Sequence, residues 1–115
     1  MSPNAFIDEL WAYARTIAMG EHPWFKGIVE HRWSKEQIVQ GEVQHYLRIR
    51  GNAIFFSHIA IKAAEEHQYE LLNVLLENII EELSGEKSHM DICLQLLEEG
   101  GISQAAADQA EPAPG

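Results

Sequence analysis

Glu42 and His45 stand three residues apart, in the spacing Glu-x-x-His, within a long half-apolar stretch. Side chains three apart on an α-helix project from one face, so this carboxylate and imidazole can reach one cation together. Two further carboxylates, Glu81 and Glu82, follow in the next helical stretch, and Glu82 lies nearer its apolar stripe. Helical bundles that hold two metal ions combine Glu-x-x-His pairs with single glutamates. The pattern predicts Glu42, His45 and Glu82 as metal ligands, with Glu81 as the alternate.

Carboxylate and imidazole donors together suit iron, manganese or zinc. One copy of the chain carries fewer such ligands than a two-metal site needs, whereas two copies would provide two Glu-x-x-His pairs and two further glutamates. This arithmetic predicts a homodimer with the site at the subunit interface. The alternative is that these acidic side chains simply face water, since Glu-x-x-His occurs by chance in many acidic helices.

The composition limits the class of protein. A chain of 115 residues with 46% hydrophobic and 23% charged residues predicts one globular domain. Its net charge of −10 argues against nucleic acid and anionic membrane surfaces as partners. No apolar run approaches the roughly 20 residues that span a bilayer. The N-terminus lacks a secretion signal, and the single cysteine, Cys93, read as an inert core residue, favours a cytoplasmic location.

The apolar periodicity is helical nearly throughout, and no segment alternates with the two-residue period of a strand. It predicts an all-α domain over residues 1–102 with about five helices, followed by a flexible Ala/Pro/acidic tail over 103–115 that adds little to the core. The predicted helices, bounded by capping residues, glycines and Pro23, are 4–20, one opening at 23, 35–66, 68–84 and one capped by Ser88 and ending at Gly100.

Other polar and aromatic residues carry weaker signals. Tyr46 and Arg50 lie on the same helix as Glu-x-x-His and are predicted to contact a substrate, beside Phe55. The simpler interpretations are that Tyr46 is a core or interface anchor and that Arg50 pairs with an acidic residue. His89, one residue after a cap, is interpreted as a local helix-terminus group.

A group of short segments resembles the haem-oxygenase-like superfamily. The branch most similar to it holds pyrroloquinoline quinone synthase, the TenA-type thiaminases and the iron-containing redox enzymes. The segments are His22-Pro23-Trp24-Phe25, Ser34-Lys35-Glu36-Gln37-Ile38, Gln44-His45-Tyr46, Glu77-Asn78-Ile79-Ile80-Glu81-Glu82-Leu83-Ser84-Gly85, Ser88-His89 and Leu97-Glu98-Glu99-Gly100-Gly101-Ile102. They lie between His22 and Ile102, a stretch that covers about two thirds of this chain and resembles only the first half of a typical member.

The resemblance implies a half-length helical bundle completed by a second copy or by another polypeptide. It also implies an oxidoreductase that uses dioxygen on a small organic molecule, with iron or manganese held by Glu42, His45 and Glu82 or Glu81. Tyr46 and Arg50 would be its catalytic residues. Two alternatives stay open: a non-catalytic dimeric interaction or regulatory module, and a metal-free cofactor-biosynthesis oxidase like pyrroloquinoline quinone synthase.

Overall fold

The computed structural model describes residues 2–114, and all regular structure in this range is helical, which confirms the all-α prediction. A short 3-10 turn, Met19–Glu21, joins the first two helices. The α-helices are α1 (Pro3–Thr16), α2 (Pro23–Val29), α3 (Lys35–Glu65), α4 (Tyr69–Leu83), α5 (His89–Glu99) and α6 (Gln104–Asp108). They form two compact units, Met1–Ser34 and Lys35–Gly115. The haem-oxygenase-like assignment stays a prediction.

The first helix of the N-terminal unit begins and ends earlier than its sequence predicts. Its N-cap is Ser2, whose Oγ accepts a hydrogen bond from the Ala5 N–H at 3.2 Å, and not Asn4. The helix stops at Thr16 because Ile17 leaves helical geometry, with φ −104° and ψ 80°. The predicted stop at Gly20 instead falls within the 3-10 turn.

The second helix of this unit is held by a local cap and by two indoles. His22 Nδ1 accepts a hydrogen bond from the Trp24 N–H at 3.1 Å, and Pro23 occupies the first turn, where an N–H is not needed. Trp33 stacks on Trp24 and donates from Nε1 to its carbonyl oxygen at 2.9 Å. Gly27 lies so close to the Trp33 indole that a Cβ would not fit. These contacts pack the segment around Trp33 against α2.

The 31-residue helix α3 is the backbone of the C-terminal unit. Its first half packs against α5 and α6, and the buried residues of this cluster are Val39, Val43, Tyr46, Ile49, Cys93, Leu97 and Ala107. The expectation that Cys93 lies in the core is confirmed, since it is 3% exposed. The four α3 residues recur at spacings of three and four, which places them on one face.

The fourth helix runs back along α3. Leu75 of α4 packs with Ala60 and Ala63 near the end of α3. Further along α4, Glu82 shares a cavity with Glu42, which lies near the start of α3. Later residues of α4 therefore lie beside earlier residues of α3, and the carboxyl end of α4 reaches the first half of the long helix.

The last two helices, α5 and α6, complete the core around the first half of α3. At the end of α5, Gly100 approaches α3 so closely that a Cβ there would lie 2.5 Å from Val39 Cγ2. Ser103 then caps α6, and Ala107 of that helix is fully buried against the core. The expectation that residues from 103 onward add little to the core is therefore wrong for α6. The flexibility of the residues beyond it stays a prediction.

Both units expose large apolar side chains. On α4 and α5 these include Val74, Leu76, Ile80, Ile92 and Leu96. Among residues 2–114, no helix combines the length and the apolarity that crossing a bilayer requires.

Candidate metal centre

Helix α3 presents Glu42 and His45 together. Glu42 Oε2 and His45 Nδ1 are 3.0 Å apart, and the side chains are 26% and 38% exposed. The pair results from the three-residue spacing on one helical face, as the sequence predicts. Both side chains keep a share of solvent contact, so each can turn toward an ion without opening the core.

Helix α5 adds a thiol to this pair. Cys93 Sγ lies 3.8 Å from Glu42 Oε2 and 3.6 Å from the Glu42 carbonyl oxygen, with the thiol as donor. One donor atom each from Glu42, His45 and Cys93 can be chosen so that all three lie within 4.8 Å of one another. Burial, with a smaller contribution from the Glu42 carboxylate, raises the pKa of the Cys93 thiol to about 11. Without a cation, the thiol therefore keeps its proton at neutral pH.

A second carboxylate–imidazole pair spans the turn between α4 and α5. Glu82 Oε1 lies 3.0 Å from His89 Nδ1. Ser88 caps α5 by accepting a hydrogen bond from the Asp91 N–H at 3.1 Å, and this cap sets His89 as the first residue of the helix. The interpretation of His89 as a helix-terminus group is confirmed, and the short turn also directs its ring toward Glu82.

The two pairs line one cavity of about 310 Å³ in the C-terminal unit. Its walls come from three helices and comprise Glu42, His45, Arg48, Ile49, Asn52, Glu82, His89, Ile92, Cys93 and Leu96. Ile92 is 53% exposed, so the cavity is open to solvent on the α5 side. Two carboxylates and two imidazoles fit iron or manganese by donor type. The two carboxylates are half of the four glutamates that a complete two-metal bundle uses, and the two imidazoles equal its two histidines.

The structure distinguishes the two adjacent glutamates of α4. Glu82 faces the cavity, seven residues after the buried Leu75 and so on the same side of the helix. Glu81 is exposed and instead lines a shallow surface depression with Ser84 and Lys87. Glu81 is therefore not among the residues that line the cavity, and metal ligation by Glu82, or by Glu81 as its alternate, stays a prediction.

Tyr46 and Arg50, predicted as catalytic residues, do not line the cavity. Tyr46 is 2% exposed and donates its hydroxyl hydrogen to Asp108 Oδ1 at 2.5 Å, while Arg50 Nη1 donates to the same oxygen at 3.1 Å. The Arg50 guanidinium also lies 5.8 Å from the centre of the Tyr46 ring. Burial first, and the hydrogen bond to Asp108 second, raise the pKa of Tyr46. These contacts join α6 to α3, and neither residue would touch a molecule bound in the cavity. The arginine that lines the cavity is Arg48.

Comparison with known proteins gives one partial likeness. The chain is 27% identical over 107 residues to a 4-aminobenzoate synthase of Chlamydia muridarum. The aligned region covers 93% of this chain and 44% of that protein, so the chain spans less than half the length of this relative. No family model and no solved structure matches the chain.

Proposed function

We propose that this chain supplies half of a two-metal centre in an oxidoreductase that uses dioxygen to transform a small organic molecule. One observation carries the proposal: four side chains of metal-ligating type, Glu42, His45, Glu82 and His89, converge from three helices on one cavity. Likeness to a 4-aminobenzoate synthase supports chemistry on a small molecule, since the product in that protein's name is a small aromatic acid. His89 is added to the predicted ligands on the strength of its position.

The donor set is suited to a dication. Glu42 and Glu82 bring two negative charges to the cavity, and each lies 3.0 Å from an imidazole that can bind the same ion. Bound iron or manganese would supply the one-electron chemistry that dioxygen needs. The residues of the chain would fix the ions, because Glu42, His45 and His89 each adjoin a buried residue (Val43, Tyr46 and Ser88) and Glu82 lies 3.0 Å from His89.

Other cavity residues have roles that follow from their chemistry. Ile49, Ile92 and Leu96 give an apolar wall that would exclude water from part of a bound substrate. Arg48 and Asn52, one turn apart on α3, offer a cation and an amide to polar or anionic groups of that substrate. Arg48 thereby replaces Arg50 as the arginine proposed to contact the substrate.

Completion of the centre requires ligands from a second polypeptide, which can be a second copy of this chain. A four-helix two-metal bundle uses four glutamates, and this cavity contains two. The half-exposed Ile92 and the exposed Ile80 lie on the two helices that also contribute Glu82 and His89. Such apolar exposure beside a polar site supports an interface there.

A non-catalytic interaction module is the second candidate. The observation that favours it is the exposure of apolar side chains on α4 and α5, which assembly alone would explain. The two functions differ in their need for metal. An interaction module predicts no stoichiometric iron or manganese in protein purified without chelator.

Metal content tests the leading proposal. Wild-type protein, purified without chelator and supplied with iron or manganese, is expected to retain metal measurable by elemental analysis. The double variant Glu42→Ala/His45→Ala and the single variant Glu82→Gln should each lose the metal bound at their own end of the cavity, because each removes ligands there. Glu81→Gln is the matched control, since it removes the same charge one residue away but outside the cavity. Unchanged metal content in the double variant would contradict the assignment.

The oligomeric state tests the shared-site version separately. Equilibrium ultracentrifugation with excess iron is expected to show a dimer of the 115-residue chain, or a complex when the other polypeptide is supplied. A chain that stays monomeric under these conditions and still binds two irons tightly would show that no second polypeptide is needed.

A further inference from the structure

We propose that the Cys93 thiolate joins Glu42 and His45 as the third protein ligand of one thiophilic divalent cation, of the zinc class, at one end of the cavity. The inference rests on the proposed function, because both require a cation in this cavity. It adds Cys93 to the ligands that the Glu-x-x-His pattern predicts. It also specifies the class of metal that this end of the cavity would bind.

The spacing of the donor atoms supports a single ion between them. Two donors that each lie about 2.1 Å from a tetrahedral ion are about 3.4 Å apart, and a sulfur donor at about 2.3 Å extends that to about 3.6 Å. In the structure, Glu42 Oε2 lies 3.0 Å from His45 Nδ1 and 3.8 Å from Cys93 Sγ. These two distances differ from the tetrahedral spacing by only a few tenths of an ångström, and a ligand atom of His45 lies within 4.8 Å of Cys93 Sγ, so side-chain rotations would create the site.

The position of the thiol gives this end of the cavity its rigidity. Cys93 is 3% exposed, and it packs in the same core cluster as Ile49 and Leu97. Its sulfur is therefore fixed relative to α3, whereas Glu42 and His45 retain solvent contact and can adjust. A fixed soft donor with two adjustable harder donors leaves a fourth position open toward the cavity, as in catalytic zinc sites.

The charges balance on binding. The Sγ–H bond breaks, its electron pair remains on sulfur as the bond to the ion, and the proton passes to solvent. A dication with one thiolate and the Glu42 carboxylate then has no net charge, and Arg48 in the cavity wall faces a neutral complex. The ion takes the place of the proton through which Sγ now contacts Glu42 Oε2.

The two ends of the cavity would then select different metals. Thiolate with imidazole favours zinc or cobalt, while carboxylate with imidazole alone suits iron or manganese. Glu82 and His89 have no sulfur partner among the cavity residues. The geometry thus assigns the thiophilic ion to the Glu42–His45–Cys93 end.

Cobalt(II) is the probe that tests the inference, since cobalt bound to a thiolate gives an intense near-ultraviolet charge-transfer band. Titration of the metal-free full chain with cobalt(II) is expected to produce this band with saturation at one equivalent, and zinc should abolish it. Cys93→Ala and the near-isosteric Cys93→Ser should both lose the band while circular dichroism shows an unchanged helix content. Glu81→Gln and Glu82→Gln should retain it. Absence of the band in wild-type protein, or its persistence in Cys93→Ala, would overturn the inference.

The same measurements separate this inference from the proposed function. If iron or manganese binds and depends on Glu82 and His89 but cobalt gives no thiolate band, only the role of Cys93 fails. If the band is present and depends on Cys93 while neither iron nor manganese is retained, the thiophilic site stands and the oxidoreductase proposal fails.

Discussion

Two pairs of polar residues that are close to each other in the sequence lie on different faces of α3 and have different surroundings. Glu42 and His45 face an open cavity. Their contact with each other can be replaced by contacts to a bound ion. Tyr46 and Arg50 face α6 and share one acceptor oxygen of Asp108. The direction of a side chain around the helix, and not its residue type, therefore separates a candidate site from a structural contact.

The two faces also differ in what completes them. The Asp108 contact spans 62 positions of sequence from Tyr46 and is satisfied within the chain. The cavity face is bounded by residues of α4 and α5, among them the buried Cys93, and stays open to solvent on the α5 side. A polar group that is buried and satisfied stabilises the fold, whereas groups that converge on open volume are available to a ligand.

The largest expected contrast is in stability between adjacent alanine variants. Tyr46→Ala removes a buried ring from the core and should lower the free energy of unfolding by about 3–5 kcal/mol. His45→Ala should cost below about 1 kcal/mol, since its half-exposed partner contact contributes little. Urea unfolding followed by circular dichroism measures both, and equal losses would show that the two faces do not differ in this way.

A smaller effect is expected when only the contact to Asp108 is removed. Tyr46→Phe and Asp108→Ala should each lower the free energy of unfolding by about 1–2 kcal/mol, because a charge-assisted hydrogen bond is lost near the edge of the core. The double variant should cost less than the sum of the two, because both single changes remove the Tyr46–Asp108 bond, and only Asp108→Ala also removes the bond from Arg50. Metal content should stay at the wild-type level in all three, and a loss of metal would place Tyr46 in the site after all.

The smallest expected effect is a dependence on alkaline pH. The pKa of Tyr46 is raised above its ordinary value of 10.0, so the fold favours the neutral phenol. The resulting stabilisation is complete below the unfolded pKa and is lost as pH rises through the folded one. The stability difference between metal-free wild type and Tyr46→Phe should therefore shrink above about pH 10. A constant difference in unfolding experiments across that range would contradict the raised pKa.

The helices were predictable because their signals are local. The sequence predicts helices over 35–66 and 68–84, and the structure has Lys35–Glu65 and Tyr69–Leu83. Apolar periodicity and capping residues act within a few positions of one another. Where two signals compete, as at Ser2 and Asn4, the sequence predicts the wrong cap, since either side chain can accept the first N–H groups.

The candidate site was predictable only where one helix contains it. The side-by-side placement of Glu42 and His45 follows from their spacing, and the register with Leu75 distinguishes Glu82 from Glu81. The approach of Cys93 to Glu42 does not follow from any local pattern, because it depends on how α5 packs across α3.

Contacts at turns and between distant segments cannot be predicted from the sequence for the same reason. His89 faces Glu82 because of the particular turn between α4 and α5, and Asp108 reaches Tyr46 and Arg50 from a segment whose composition predicted a flexible tail. Small, alanine-rich helices give weak periodicity, so the burial of Ala107 leaves little trace in the sequence.

The sequence separation within each half of the cavity has a consequence for the order of folding. Glu82 and His89 are seven positions apart, whereas Glu42 and Cys93 are 51 apart. Closing a short loop costs less chain entropy and is faster, so we expect the Glu82–His89 contact to form before Cys93 reaches Glu42. A folding chain would then form the pair Glu82–His89 early, and the Cys93 sulfur would reach Glu42 only after long-range closure.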